Sequence, residues 1–172
     1  GTQSGVAKAA TVVAVKVLTD SGSGGTHGVI AGIDWFYTQK IASTDTPMVS
    51  SISLGGGYSA SLNNAVENLR RAGVAVSVAA GNYNQDACRM SPASSDAAIT
   101  VGSVGSNDVR SYFSNYGSCV NIFAPGEGVV SASNVDDTSF RSKTGTSMSC
   151  PHVAGVLAQI LGTAASNLTP LS

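Results

Sequence analysis

The sequence predicts an α/β fold: a mostly parallel central sheet with helices on both faces, in three layers. Three observations predict it. Apolar runs of strand length alternate with longer stretches at helical spacing, in the order strand, helix, strand, helix, strand. That order is the signature of βαβ units. The strand runs are continuous, as expected where both faces of a sheet are covered. Hydrophobic residues make up 42% of the chain against 11% charged, with 20 glycines. Such a composition suits a tightly packed core and excludes a disordered tail. At 172 residues the chain fits one domain with a sizeable core.

The elements follow in order. The β-branched run TVVAVKVL (11–18) predicts a buried strand, and TDSGSGG (19–25) a turn and loop. From His27 to Ala42, apolar residues recur at Val29, Ile30, Ile33, Phe36, Tyr37 and Ile41, which is helical spacing. MVSSISL (48–54) predicts a second strand, followed by the loop GGGYS. Over 61–72, Leu62, Ala65, Val66 and Leu69 share one face and charges the other. This is an amphipathic helix, and Gly73 ends it. VAVSVAA (74–80), AITVGSV (98–104) and CVNIFAPG (119–126) predict three more strands. Sites in such sheets gather at the carboxyl ends of the strands, where SGSGG, LGGGY and AAGNYN fall. KTGTSMSCPHVAG (143–155) then opens a helix whose apolar segment runs from Val153 to Leu161.

Net charge is −1, so there is no basic footprint for nucleic acid. No apolar run reaches the length that spans a bilayer. The first residue is Gly1 and no leader pattern precedes it, so the chain is expected to be a piece of a longer one. Cys88, Cys119 and Cys150 make an odd count; one pair plus one free thiol is the expectation for an exported protein. Two histidines and no Cys-x-x-Cys argue against zinc.

Two residues carry candidate chemistry. Ser147 sits in a tight Gly-Thr-Ser turn before an apolar helix. It reads either as a helix cap or as a nucleophile whose own N–H, at a helix start, forms half of an anion site. It is not the esterase elbow, because Ser149 stands where that motif needs glycine. Asn82 closes the strand VAAGN. It reads either as a turn residue or as a side-chain amide donor to an oxyanion. Together the two would supply the pair of donors that acyl transfer needs.

GTSMSCPHVAG resembles the serine motif of the subtilisin-like serine proteases, and SLGGGYS and AAGN resemble their substrate-binding and oxyanion segments. SPAS, TVGS, FSNYGSCVNIFAPG and KVLTDSGSG fit as well, in an order and spacing closest to the proteinase K branch. The resemblance covers essentially the whole chain. It implies a truncated subtilisin-like fold, with residues 1–172 forming part of a peptidase domain. It implies that Ser147 is the nucleophile and Asn82 the oxyanion amide. Ser53, Leu54, Gly55 and Gly56 would line the cleft. Ala79, Ala80 and Gly81 would wall the pocket for the side chain before the cut bond. Gly22, Ser23 and Gly24 would be the edge that pairs with the substrate backbone, since glycine lets another main chain approach. Cys88 and Cys119 match positions that some members of the branch bridge, with Cys150 left as a small buried hydrophobe.

The family also carries an Asp in a D-T/S-G turn and a His in an H-G-T-H motif, both before the serine in the chain. GTQSGVAKAA resembles the segment just after that histidine, so the general base is expected to lie outside these residues. His152 matches the family's Pro-His pair, which packs, and His27 reads as a solvated helix-start residue. Asp20, Asp34 and Asp86 match no catalytic aspartate position. No cofactor is required. The branch binds calcium through carbonyls near Asp96 and Ala98 and a carboxylate where this chain has Asn121, so a structural calcium is doubtful. Asn167-Leu168-Thr169 is a glycosylation sequon.

The reading is a secreted serine endopeptidase acting on polypeptides through an acyl-enzyme, without nucleic-acid or membrane partners and monomeric in its full-length form. The rival is a non-catalytic peptide-binding pseudoprotease. A nucleotide-binding domain fails, because neither SGSGG nor LGGG completes G-x-G-x-x-G.

Overall fold

Helix α1 (Thr26–Ala42) leads to strand β1 (Val49–Ile52), the short strand β2 (Gly56–Gly57), helix α2 (Ala60–Arg71) and strand β3 (Ala75–Ala79). A single 3₁₀ turn (Ala87–Arg89) and β4 (Met90–Ser91) precede β5 (Ile99–Val104) and β6 (Ile122–Pro125). The hairpin β7 (Val129–Ala132) and β8 (Phe140–Lys143) then gives way to α3 (Thr146–Leu168). This computed structural model describes the backbone of residues 4–168 and the side chains of 4–165; the side chains of the sequon at 167–169 lie outside the described residues. No described helix is long and apolar enough to cross a membrane.

The main sheet has the order β1-β3-β5-β6, and each neighbouring pair is parallel. β3 shows why its sequence is an unbroken apolar run. Val76 and Val78 join α1 and α2 in one core cluster with Val29, Ile33, Leu62 and Leu69. On the opposite face, Ser77 Oγ donates to the carbonyl of Cys150 in α3 at 3.0 Å. Helices thus cover both faces, as the sequence predicts. The amphipathic pattern of α2 is realised in full, with Val66 and Leu69 completely buried. Ser59 caps it by accepting the Leu62 N–H, and Gly73 ends it at φ +86°. In the second half of α3, Val156 and Ile160 are exposed. A disulfide joins Cys88 to Cys119, and Cys150 is free and buried.

One predicted strand does not form. Residues 11–17 have no regular secondary structure, and Val12 and Val13 are 90% and 66% exposed. β-branched side chains favour an extended backbone, but a strand also needs a ladder, and no described strand pairs with this run. Only Val17 packs against the core. Conversely, the β2–β4 pairing and β8 carry no apolar run that would announce them.

Candidate active site

The carboxyl ends of β1 and β3 and the start of α3 converge on one cleft of about 410 Å³. Gly22, Ser23, Gly24, Ser53, Leu54, Gly55, Gly56, Ala79, Ala80, Gly81, Asn82 and Ser147 all line it. The sequence-predicted site residues are therefore brought together without exception. Gly22–Gly24 form a wall outside any described strand. Gly56–Gly57 pairs antiparallel with Met90–Ser91, which brings Met90, Ser91 and Ala93 into the lining. Met90 lies outside every stretch singled out in the sequence; Ser91, Ala93, Tyr83 and Thr146 lie within SPAS, AAGNYN and GTSMSCPHVAG, but nothing local to those stretches marks them individually as site residues.

Ser147 is the second residue of α3, not its cap. Its Oγ donates to the Ser53 carbonyl at 3.2 Å, and Ser53 Oγ donates to the Ser147 carbonyl at 2.9 Å. Pro151 explains why that carbonyl is available. Proline has no N–H, so the helical bond from residue 151 back to residue 147 cannot form. Ser53 fills the gap, and the two serines clasp the start of α3 to the end of β1. In the first turn, the Ser147 N–H has no intrahelical partner.

Asn82 joins the other side. Its Oδ1 accepts the Thr146 N–H at 2.8 Å and the Thr146 hydroxyl at 2.9 Å. The Thr146 hydroxyl in turn accepts the Gly81 N–H at 3.1 Å. Thr146 N–H can only donate, so the amide orientation is determined: oxygen to Thr146, Nδ2 away from it. Asn82 Nδ2 has no acceptor among the described residues. Turn residue and free donor thus coexist in one side chain, and Thr146, fully buried, is what orients it.

The basic groups lie elsewhere. His152 Nδ1–H donates to the Met148 carbonyl at 2.8 Å, which ties its ring to its own helix. His27 is exposed at the start of α1. Asp20 pairs with Lys16 at 2.7 Å, and Asp86 Oδ1 accepts the Cys88 N–H. Among the described residues, no imidazole or carboxylate hydrogen-bonds Ser147. A calcium ion fits the Asn121 region poorly. Asn121 offers one neutral oxygen, and it already accepts the Thr100 N–H at 2.7 Å, whereas a hard dication favours carboxylates.

The profile described as Subtilase family matches residues 1–172. The chain is 47% identical over 168 residues to a cuticle-degrading serine protease of Arthrobotrys oligospora, covering 96% of this chain and 40% of that protein. It is 50% identical over 161 residues to alkaline serine exoprotease A of Vibrio alginolyticus, covering 94% of this chain and 29% of that protein. It is 49% identical over 161 residues to an extracellular serine proteinase of a Thermus species, covering 94% of this chain and 38% of that protein. The chain thus spans less than half the length of each of these relatives. Among solved structures, a cold-adapted subtilisin-like serine proteinase matches with a TM-score of 0.88 at 48% identity, covering 95% of this chain and 57% of that one. On this breadth of match, the chain belongs to the subtilase family, whose relatives named here are serine proteases.

Proposed function

We propose that these residues carry the nucleophile, oxyanion site and substrate cleft of a secreted serine endopeptidase. The observation that supports this most is the pairing of two unengaged donors, Ser147 N–H and Asn82 Nδ2, on one cleft. In this reading an imidazole from outside the 172 residues takes the proton of Ser147 Oγ as it attacks the scissile carbonyl. The Ser53 carbonyl is no base; it holds the hydroxyl until the imidazole engages it. The carbonyl oxygen becomes an oxyanion between the two donors. The imidazole then protonates the departing amine, and water resolves the acyl-enzyme by the same steps. Substrate main chain would pair along Gly22–Gly24. Among the described residues, no charged one lines the cleft, which favours apolar or aromatic side chains in the pocket of Ala79, Ala80 and Gly81. A relative named an extracellular serine proteinase and the Cys88–Cys119 bridge support export. No metal or other cofactor enters this chemistry.

The test is peptide hydrolysis by the protein purified at its natural length. Ser147→Ala should lower turnover by about 10⁶-fold, as in subtilisin, a member of the same family. Asn82→Ala should lower it by about 10²–10³-fold, again as in subtilisin, while KM stays nearly constant. The rival reading, a peptide-binding module, draws on the bond from Ser147 Oγ to a carbonyl. It wins if the wild type binds peptides and does not cleave them.

A further inference from the structure

The loop that carries Asn82 rests on one fully buried side chain, Asn115, and from it we infer a positioning role in the reaction proposed above, on which this inference depends. Asn115 lies between β5 and β6. Its Oδ1 accepts the N–H groups of Tyr83 at 3.0 Å and Gln85 at 3.1 Å. Its Nδ2 donates to the Ala80 carbonyl at 2.8 Å. Its own main-chain N–H donates to the Gly81 carbonyl at 2.9 Å. These four bonds straddle Asn82: two fall on the residues just before it and two on residues just after. Thr146 sets the direction of the Asn82 amide; Asn115 sets where the main chain beneath it sits. The fit is close. Gly81 has φ +103°, and a Cβ there would run into Asn115 Nδ2, so the loop lies directly against the buried amide.

An amide is the group this position needs. Two N–H groups arrive at one oxygen, and a carbonyl needs a donor beside it; a side-chain amide offers both on separate atoms of one planar group. Aspartate would still accept from Tyr83 and Gln85. It would also turn an oxygen toward the Ala80 carbonyl and bury a negative charge under the loop that must stabilise an oxyanion. A donor of this kind acts through its preset position, so a small displacement costs rate more than ground-state binding.

The experiment uses the protein at its natural length, with kcat and KM measured on a peptide p-nitroanilide. The variants are Asn115→Asp, Asn115→Ser, Asn82→Ala and each Asn115 variant combined with Asn82→Ala. Asn115→Asp should lower kcat by about 10- to 100-fold with KM within about twofold. In the Asn82→Ala background the same change should cost less than about threefold, because the donor it positions is already gone. Asn115→Ser leaves room for water to meet the stranded N–H groups, and serves if the aspartate variant does not fold; the same coupling is expected. Affinity for a peptide aldehyde, which forms an oxyanion-like adduct with a serine hydroxyl, should fall alongside kcat. Equal losses with and without Asn82, or a rise in KM at constant kcat, overturn the positioning role. Failure of the wild type to react with a fluorophosphonate at Ser147 overturns the protease reading instead, and so separates the two.

Discussion

Two stretches of this chain share a β-branched, apolar character and fold differently. VAVSVAA at 74–80 becomes β3, paired on both edges by β1 and β5 and covered on both faces. TVVAVKVL at 11–18 stays irregular, unpaired and largely exposed. Side-chain type sets the backbone's preference for extension; ladder partners and covering helices turn that preference into a buried strand. The candidate site draws on both: Ser53 and Asn82 follow paired, covered strands, whereas Gly22–Gly24 follow the unpaired run.

The contrast predicts a graded series of stabilities, read by denaturant unfolding. Leu69→Ala removes a fully buried side chain from the helix that covers β3, and should cost about 2–5 kcal/mol. Val78→Thr places a hydroxyl in β3 where the native side chain is fully buried, and should cost about 1–3 kcal/mol. The same change at Val12, 90% exposed, should stay within about 0.5 kcal/mol. A Val12→Thr loss as large as that of Val78→Thr would mean the 11–18 run is covered in solution and the contrast is wrong.

The β7–β8 hairpin sharpens the comparison from another side. It has little buried surface and relies on local bonds. Asp136 accepts from the Ser139 hydroxyl and N–H and from the Thr138 N–H and hydroxyl. Those bonds, the Ser139 hydroxyl foremost, lower its pKa to about 2. A depressed carboxyl pKa stabilises the folded loop above the ordinary carboxylate range, and that contribution disappears as pH falls toward 2. An NMR titration should find the Asp136 midpoint near 2, with the hairpin signals changing at the same pH. A midpoint at the ordinary value of 3.8 would show that the bonds do not hold in solution.

Sequence reading reached the α/β class, α1, α2 and the parallel strands because their patterns are periodic or continuous. It reached the cleft because glycine-rich loops at strand ends and the Gly-Thr-Ser turn are local signals. It overreached at 11–18, since a partner strand is not a local property. It could not reach Thr146 or Asn115. Both lie within quoted motifs, but what sets them apart from their neighbours is their bonds to residues 64 and about 30 positions away, which no local pattern shows. The Ser53–Ser147 clasp is hidden for the same reason, although Pro151, a proline inside a helix, signals a free carbonyl four residues earlier.

The central claim is that Ser147 is the reactive hydroxyl of this cleft. Reaction of the natural-length protein with a fluorophosphonate, followed by digestion and mass spectrometry, tests it most directly. The account predicts a single modified peptide spanning 144–152 with the adduct on Ser147, none on the neighbouring buried Ser149, and loss of the label in Ser147→Ala. An adduct on another serine, or a folded protein that binds peptides and takes no label, would contradict it.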